Sequence, residues 1–162
     1  MNSPAHVPSR IFLARPIAQL FALSQHLARV LDRAQPLASL MARAYVAQVF
    51  FLSGLTKLRD WDITLALFQD EYKVPFLRPD VAAVMGTAGE LLLPVLLVAG
   101  LGGRFAALGL SVVNVVAVIS LAEIAPAALQ QHITWGVLLT GLALYGSGKW
   151  SADSVIAARM RA

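Results

Sequence analysis

No cysteine occurs in this chain, which excludes disulfides, thiolate nucleophiles, iron–sulfur ligation and dithiol relays within it. Charge is scarce too. Asp, Glu, Lys and Arg make up 14% of the residues, against about 25% in an ordinary soluble domain. The polar residues in and beside the long apolar runs include one His and scattered carboxylates without an i, i+3 or i, i+4 pair, so no metal site is indicated. The Gly102–Gly103–Arg104 turn follows no strand and lacks GxGxxG spacing, so no nucleotide loop is indicated either. Residues 1–16 contain Arg10, Arg15 and Pro16 but no apolar core ending in a small-residue cleavage site, and the N-terminus is expected to be retained. There is no internal repeat and no low-complexity run.

What is present is apolar. Hydrophobic residues account for 58% of the chain, the mean hydropathy is +0.69, and the charge deficit falls in a few long runs. That pattern predicts a single-domain, all-α integral membrane protein: a four-transmembrane-helix bundle preceded by an amphipathic interfacial helix. The net charge of +4 is then read as topology and attraction to anionic lipid, with no nucleic-acid partner.

The first part of the chain, residues 1–36, opens on the polar, Pro-rich MNSPAHVPSR, expected to be disordered. From Pro16 to Arg33, Ile17, Leu20, Phe21, Leu27, Val30 and Leu31 recur near helical spacing, with Arg15, Gln19, Arg29 and Arg33 mostly opposite. This predicts a helix lying in the membrane interface and ended by Pro36. The alternative is a helix packed on the ends of the bundle. The transmembrane part, residues 37–150, is expected to hold spans at about 37–58, 81–101, 104–123 and 126–147, with residues 151–162 as a basic tail. The polar connection 59–80 has room for a short helix or lid. Basic residues place both ends on the cytoplasmic side: Arg10, Arg15, Arg29, Arg33, Arg43, Arg104, Lys149, Arg159 and Arg161 against Lys57, Arg59, Lys73 and Arg78 outside.

The second span carries one charge, Glu90, near its middle. A carboxylate facing lipid there would cost at least ~2.5 kcal/mol, so Glu90 is expected to face protein or a wet cavity. Pro94 removes the donor that would pair with the carbonyl of Glu90. Lys57 ends span one, Glu123 ends span three and His132 enters span four, all on the outer side, while Glu90 lies about 13 Å below that side at 1.5 Å per residue. Asn114 lies at similar depth. Lys57, Glu90, Glu123, Asn114 and His132 are therefore expected to share an outward-opening cavity walled by Trp135, with Gln131 beside His132. Such a set suits proton-coupled chemistry on a quinone head group, whose carbonyl oxygens need donors and protons on reduction. Plainer readings stand beside this one. Lys57 and Glu123 suit boundary charges, Gln130, Gln131 and His132 suit a polar helix start, and Asn114 suits an interhelical hydrogen bond. A structural Lys57–Glu90 pair would simply hold two helices, and Arg43 suits a cytoplasmic anchor better than a site.

An Arg opening span one, then FFLSGLTKL carrying Lys57, then GTAGELLLPVLLVAGLGGR, resembles the DoxX family of four-helix bacterial membrane proteins. The tail YGSGKWSAD resembles the family's Gly-x-Gly-x-x-Ser-x-Asp ending, with Gly146–Ser147–Gly148 where Gly-Pro-Gly is usual. The match covers roughly residues 40–155 and leaves out the N-terminal extension. The resemblance implies a four-helix bundle in the inner membrane, in which Arg43, Lys57 and Glu90 match recurrent polar positions. Some relatives are subunits of a thiosulfate:quinone oxidoreductase, and others work beside redox-defence or cofactor-maturation proteins.

Three functions follow as expectations. The first is a membrane subunit of a quinone-linked redox system: Lys57 and His132 contact the head group, Glu90 and Glu123 carry protons, and a partner protein supplies electrons. Here Lys57, Trp135, Asn114 and Gln131 line the ligand, and quinone is the cofactor. The second is a non-catalytic membrane anchor or assembly partner for a soluble enzyme, recruiting it through residues 59–80 or the N-terminal helix. The third is a small exporter, which a chain this short could form only as a homo-oligomer.

Overall fold

The structure, a computed structural model, describes the backbone of residues 10–162 and the side chains of residues 18–162. The expectation of disorder over residues 1–10 falls almost wholly outside that range. The described residues form six helices and no strand: α1 (Arg10–Arg59), α2 (Trp61–Asp70), α3 (Pro79–Ala99), α4 (Gly103–Ile119), α5 (Pro126–Tyr145) and α6 (Ala152–Met160). By length and apolar content two of them can cross a membrane: α1 over Ala18–Arg59, and α3. In α3 only 33% of the most apolar stretch is buried, so Val84, Met85, Leu92, Val95 and Val98 form an exposed apolar face.

The chain divides into two units, residues 1–35 and 36–162. In the first, residues 18–35 are exposed on every side, including Leu20, Phe21, Leu23 and Leu27. Local bonds such as Arg29 Nε to the Gln25 carbonyl (3.3 Å) support the helix. The expected helix end at Pro36 is corrected: α1 runs unbroken from Arg10 to Arg59. Proline deletes only one backbone donor, and the carbonyl it orphans is that of Asp32, an exposed residue whose carbonyl water can serve.

In the second unit, residues 36–59 of α1 and helices α3, α4 and α5 enclose a core of Val46, Phe50, Leu97, Leu110, Leu139 and Leu142. Close approach of α3 and α4 needs a small residue at Gly109, where a Cβ would stand 2.8 Å from the Leu93 side chain. The short helix anticipated in the connection is α2. Asp60 caps it by accepting from the Ile63 amide at 3.0 Å, and Thr64 Oγ1 donates to the orphan carbonyl of Lys57 at 2.8 Å. Phe68, Ala82 and Ala83 bury α2 against α3.

The far end of this unit is tied by backbone groups. Gly100 (φ 67°) and Gly102 (φ 56°) turn the chain from α3 into α4. The Leu101 amide donates to the Leu96 carbonyl at 3.0 Å, which ends α3 in a Schellman arrangement. Asp153 then accepts from the Gly102 and Gly103 amides at 2.9 and 3.2 Å, placing a carboxylate on the N-terminus of α4. Arg43 is not a snorkelling anchor. It is fully buried and donates to the carbonyls of Val98 (2.9 Å) and Trp150 (2.5 Å), joining α1 to the end of α3 and to the tail. A Cβ on Gly100 would press on both Ser151 and Arg43, so the glycine is what lets the tail seat here.

Candidate functional site: a pocket headed by an ion pair

The helices that place the core also leave a cavity of about 610 Å³. Its polar lining is Ser53 and Lys57 from α1, Tyr72 after α2, Glu90 from α3, Ser120 at the end of α4, and His132 from α5. Lys57 and Ser53 stand four residues apart, on one face of α1. The Lys57 ammonium donates to Ser53 Oγ at 3.0 Å and to the Glu90 carboxylate oxygens at 2.8 and 2.6 Å, using all three of its donors. Glu90 is 8% exposed. At that burial the pair holds α1 to α3, because either charge alone would be left desolvated.

Across the cavity Asn114 grips His132 twice. Asn114 Nδ2 donates to the His132 carbonyl at 2.9 Å, and Asn114 Oδ1 lies 2.8 Å from His132 Nδ1. With the amide so oriented, Oδ1 must accept, so Nδ1 carries the hydrogen and a neutral ring keeps its lone pair on Nε2. His132 meets the Trp135 ring edge-on at 4.9 Å, and Trp135 meets Phe50 at 5.8 Å. Tyr72 stacks on Phe68 at 5.0 Å. Burial first, then the carboxylates of Glu90 and Glu71, raise its phenol above the usual range, so it stays a hydrogen-bond donor at neutral pH.

Of the residues singled out in the sequence, Lys57, Glu90, His132 and Trp135 line the pocket together. Asn114 is buried and does not line the pocket itself, but holds the His132 ring at Nδ1. Glu123 and Gln131 do not line it. Helix α4 stops at Ile119, so Glu123 stands exposed in the connection beyond it. Gln131 is exposed because one residue along a helix turns a side chain by about 100° from its neighbour. Ser53, Tyr72 and Ser120 were not anticipated. The i, i+4 spacing from Ser53 to Lys57 was the available signal for the first; Tyr72 reaches the site only through the packing of α2.

The rest of the lining is apolar. Met85 on α3 and Val112 and Ile119 on α4 line the cavity while being 58%, 63% and 58% exposed, so its mouth opens sideways between α3 and α4. At one rim sits Phe76, fully exposed and held at φ 65°, a left-handed conformation that a bulky residue adopts only with strain. The Lys73 amide ties this loop to the Ser120 carbonyl at 2.8 Å.

No curated protein and no solved structure matches the chain. The DoxX family model matches residues 38–123, a stretch that contains Arg43, Lys57, Glu90 and Asn114 and covers more than half of the sequence. The chain therefore belongs to the DoxX family.

Proposed function

We propose that this chain is a four-span protein of the bacterial inner membrane, with both ends cytoplasmic, that binds a quinone-like ligand as the membrane subunit of a redox system. Helices α4 and α5, of 17 and 20 residues, complete the bundle; at 1.5 Å per residue they reach about 26 and 30 Å. One observation carries the ligand reading. A cavity of about 610 Å³ has polar groups at one end and a mouth lined by exposed Met85, Val112 and Ile119. A water-soluble substrate has no use for an entrance that faces hydrocarbon. A ring with a lipid tail does.

The donor set fits such a ring. A quinone takes up two electrons and two protons when reduced, and its carbonyl oxygens need donors in both states. Tyr72 and the Lys57 ammonium supply them, the latter by sharing a hydrogen now given to Glu90 or Ser53. His132 Nε2 accepts or returns a proton while Asn114 holds the ring at Nδ1. Glu90 keeps Lys57 charged and in place. Phe50, Trp135 and Phe68 exclude water from the ring. A partner protein supplies the electrons.

The test is to purify the protein in mild detergent, extract it with organic solvent, and measure quinone by mass spectrometry against total lipid as baseline. Enrichment in the wild type that is lost in Glu90→Gln supports the reading. Equal, baseline quinone in both overturns it. A second reading, a membrane anchor that recruits a soluble enzyme, draws on one observation: all three Lys57 donors are satisfied inside the protein. An anchor would keep its partner in Glu90→Gln.

A further inference from the structure

Helices α1 and α3 are clasped at two levels. Arg43 binds the Val98 carbonyl at one, and Lys57 binds Glu90 at the other. Between the clasps an outward groove of about 490 Å³ runs along them, lined by Ala44, Ala47, Gln48, Phe51, Pro94 and Val95, with Val98 and Ala99 at its end. The groove is apolar with one exception. Gln48 stands exposed near the middle of the segment Leu37–Leu58, and its amide joins no hydrogen bond among the described residues. The other strongly polar side chains in this part of the helix are engaged: Arg43 with carbonyls, Lys57 with Glu90.

An amide at that depth, facing hydrocarbon, has neither its two donors nor its acceptor served. Whatever fills the groove must bring both kinds of group to one point. A lipid chain brings neither. A second copy of this chain, related by a two-fold axis along the bilayer normal through Gln48, brings both, because two glutamine amides donate to and accept from each other. The neighbours suit that occupant. Ala44, one turn away, and Ala47 are small enough for backbones to come close, and Phe51 and Val95 supply complementary bulk.

We propose that the α1–α3 groove is a homodimer interface, in which Gln48 pairs with Gln48 of a second copy in the plane of the membrane. This rests on α1 and α3 spanning the bilayer. The lateral mouth between α3 and α4 stays open to lipid in such a dimer.

The chain has no cysteine, so a single introduced thiol reports without background. Gln48→Cys, Ala44→Cys and, as control, Leu108→Cys on the exposed face of α4 are placed in the full chain in phosphatidylethanolamine–phosphatidylglycerol vesicles. Each is oxidised with copper phenanthroline, and each is separately treated with a membrane-impermeant maleimide. The proposal predicts disulfide-linked dimer for positions 48 and 44 at least about five-fold above position 108, with all three protected from the maleimide. It also predicts that Gln48→Leu weakens self-association about ten-fold, read as energy transfer between labelled copies on lipid dilution; this corresponds to losing two interhelical amide bonds. Thiols at 48 and 44 that are protected but link no more than position 108 overturn the dimer and leave the membrane reading standing; lipid or another protein then fills the groove. Maleimide labelling at position 48 overturns the spanning of α1, and the dimer with it. Unchanged association in Gln48→Leu also refutes the proposal.

Discussion

Removing Lys57 without removing Glu90 should damage the protein far more than removing both. In Lys57→Met the methylene packing is largely kept, while the Glu90 carboxylate loses two hydrogen bonds of 2.8 and 2.6 Å from the ammonium. The Glu90 side chain is 10% exposed, and that of Lys57 17%, so water offers little relief. Leaving one member of a buried pair behind costs about 3–5 kcal/mol; the partial exposure of Lys57 places the expectation near 3. Adding Glu90→Leu removes the orphaned charge, and swapping a buried pair for apolar groups is often near neutral. The double variant should therefore recover most of the loss, with a coupling of about 2–3 kcal/mol between the sites. Reversible unfolding of all four proteins in mixed micelles, followed by far-UV circular dichroism, gives the cycle. Additive losses, with coupling below about 0.5 kcal/mol, would refute the view that this pair binds α1 to α3 as a unit.

Two further outcomes follow from the same geometry. Asp153→Ala removes the acceptor for the Gly102 and Gly103 amides and should lower stability by about 2 kcal/mol, with protease sensitivity appearing first in residues 146–162; an unchanged Tm and cleavage pattern would contradict the role given to this tail. An ultraviolet difference titration of wild type against Tyr72→Phe should show a phenol ionising above its ordinary value of 10.0. Because that pKa is raised in the folded state, its contribution to stability is full below the unfolded value and is lost as pH rises through the folded one. Glu90→Gln should move the titration downward; no movement would mean that the carboxylate does not act on Tyr72.

Much of this was legible in the sequence because a helix period and a depth are one-dimensional quantities. The single charge of span two, Glu90, and the basic end of span one, Lys57, could be ranked along their helices, and they meet at 2.6 Å. The helices α3 and α5 start within two residues of the expected positions. Rotation about the helix axis was harder to read. Gln131 and His132 are adjacent in sequence, and only His132 faces the pocket. Glu123 looked like the end of a span, but α4 stops at Ile119. Arg43 resembled a boundary charge because nothing local shows that the carbonyls of Val98 and Trp150, more than fifty residues away, receive it. Pro36 failed as a stop signal since an exposed turn tolerates one missing donor.

The central claim, that the pocket binds a lipid-soluble ring beside Trp135, is tested most directly by fluorescence. The wild type and Trp135→Phe are placed in lipid nanodiscs and titrated with a short-tailed quinone, which quenches a tryptophan only at close range. Saturable quenching in the wild type, with the saturable part lost in Trp135→Phe and only a shallow linear slope left from Trp61 and Trp150, is the expected result. A linear, unsaturable slope that is the same in both proteins would contradict the account.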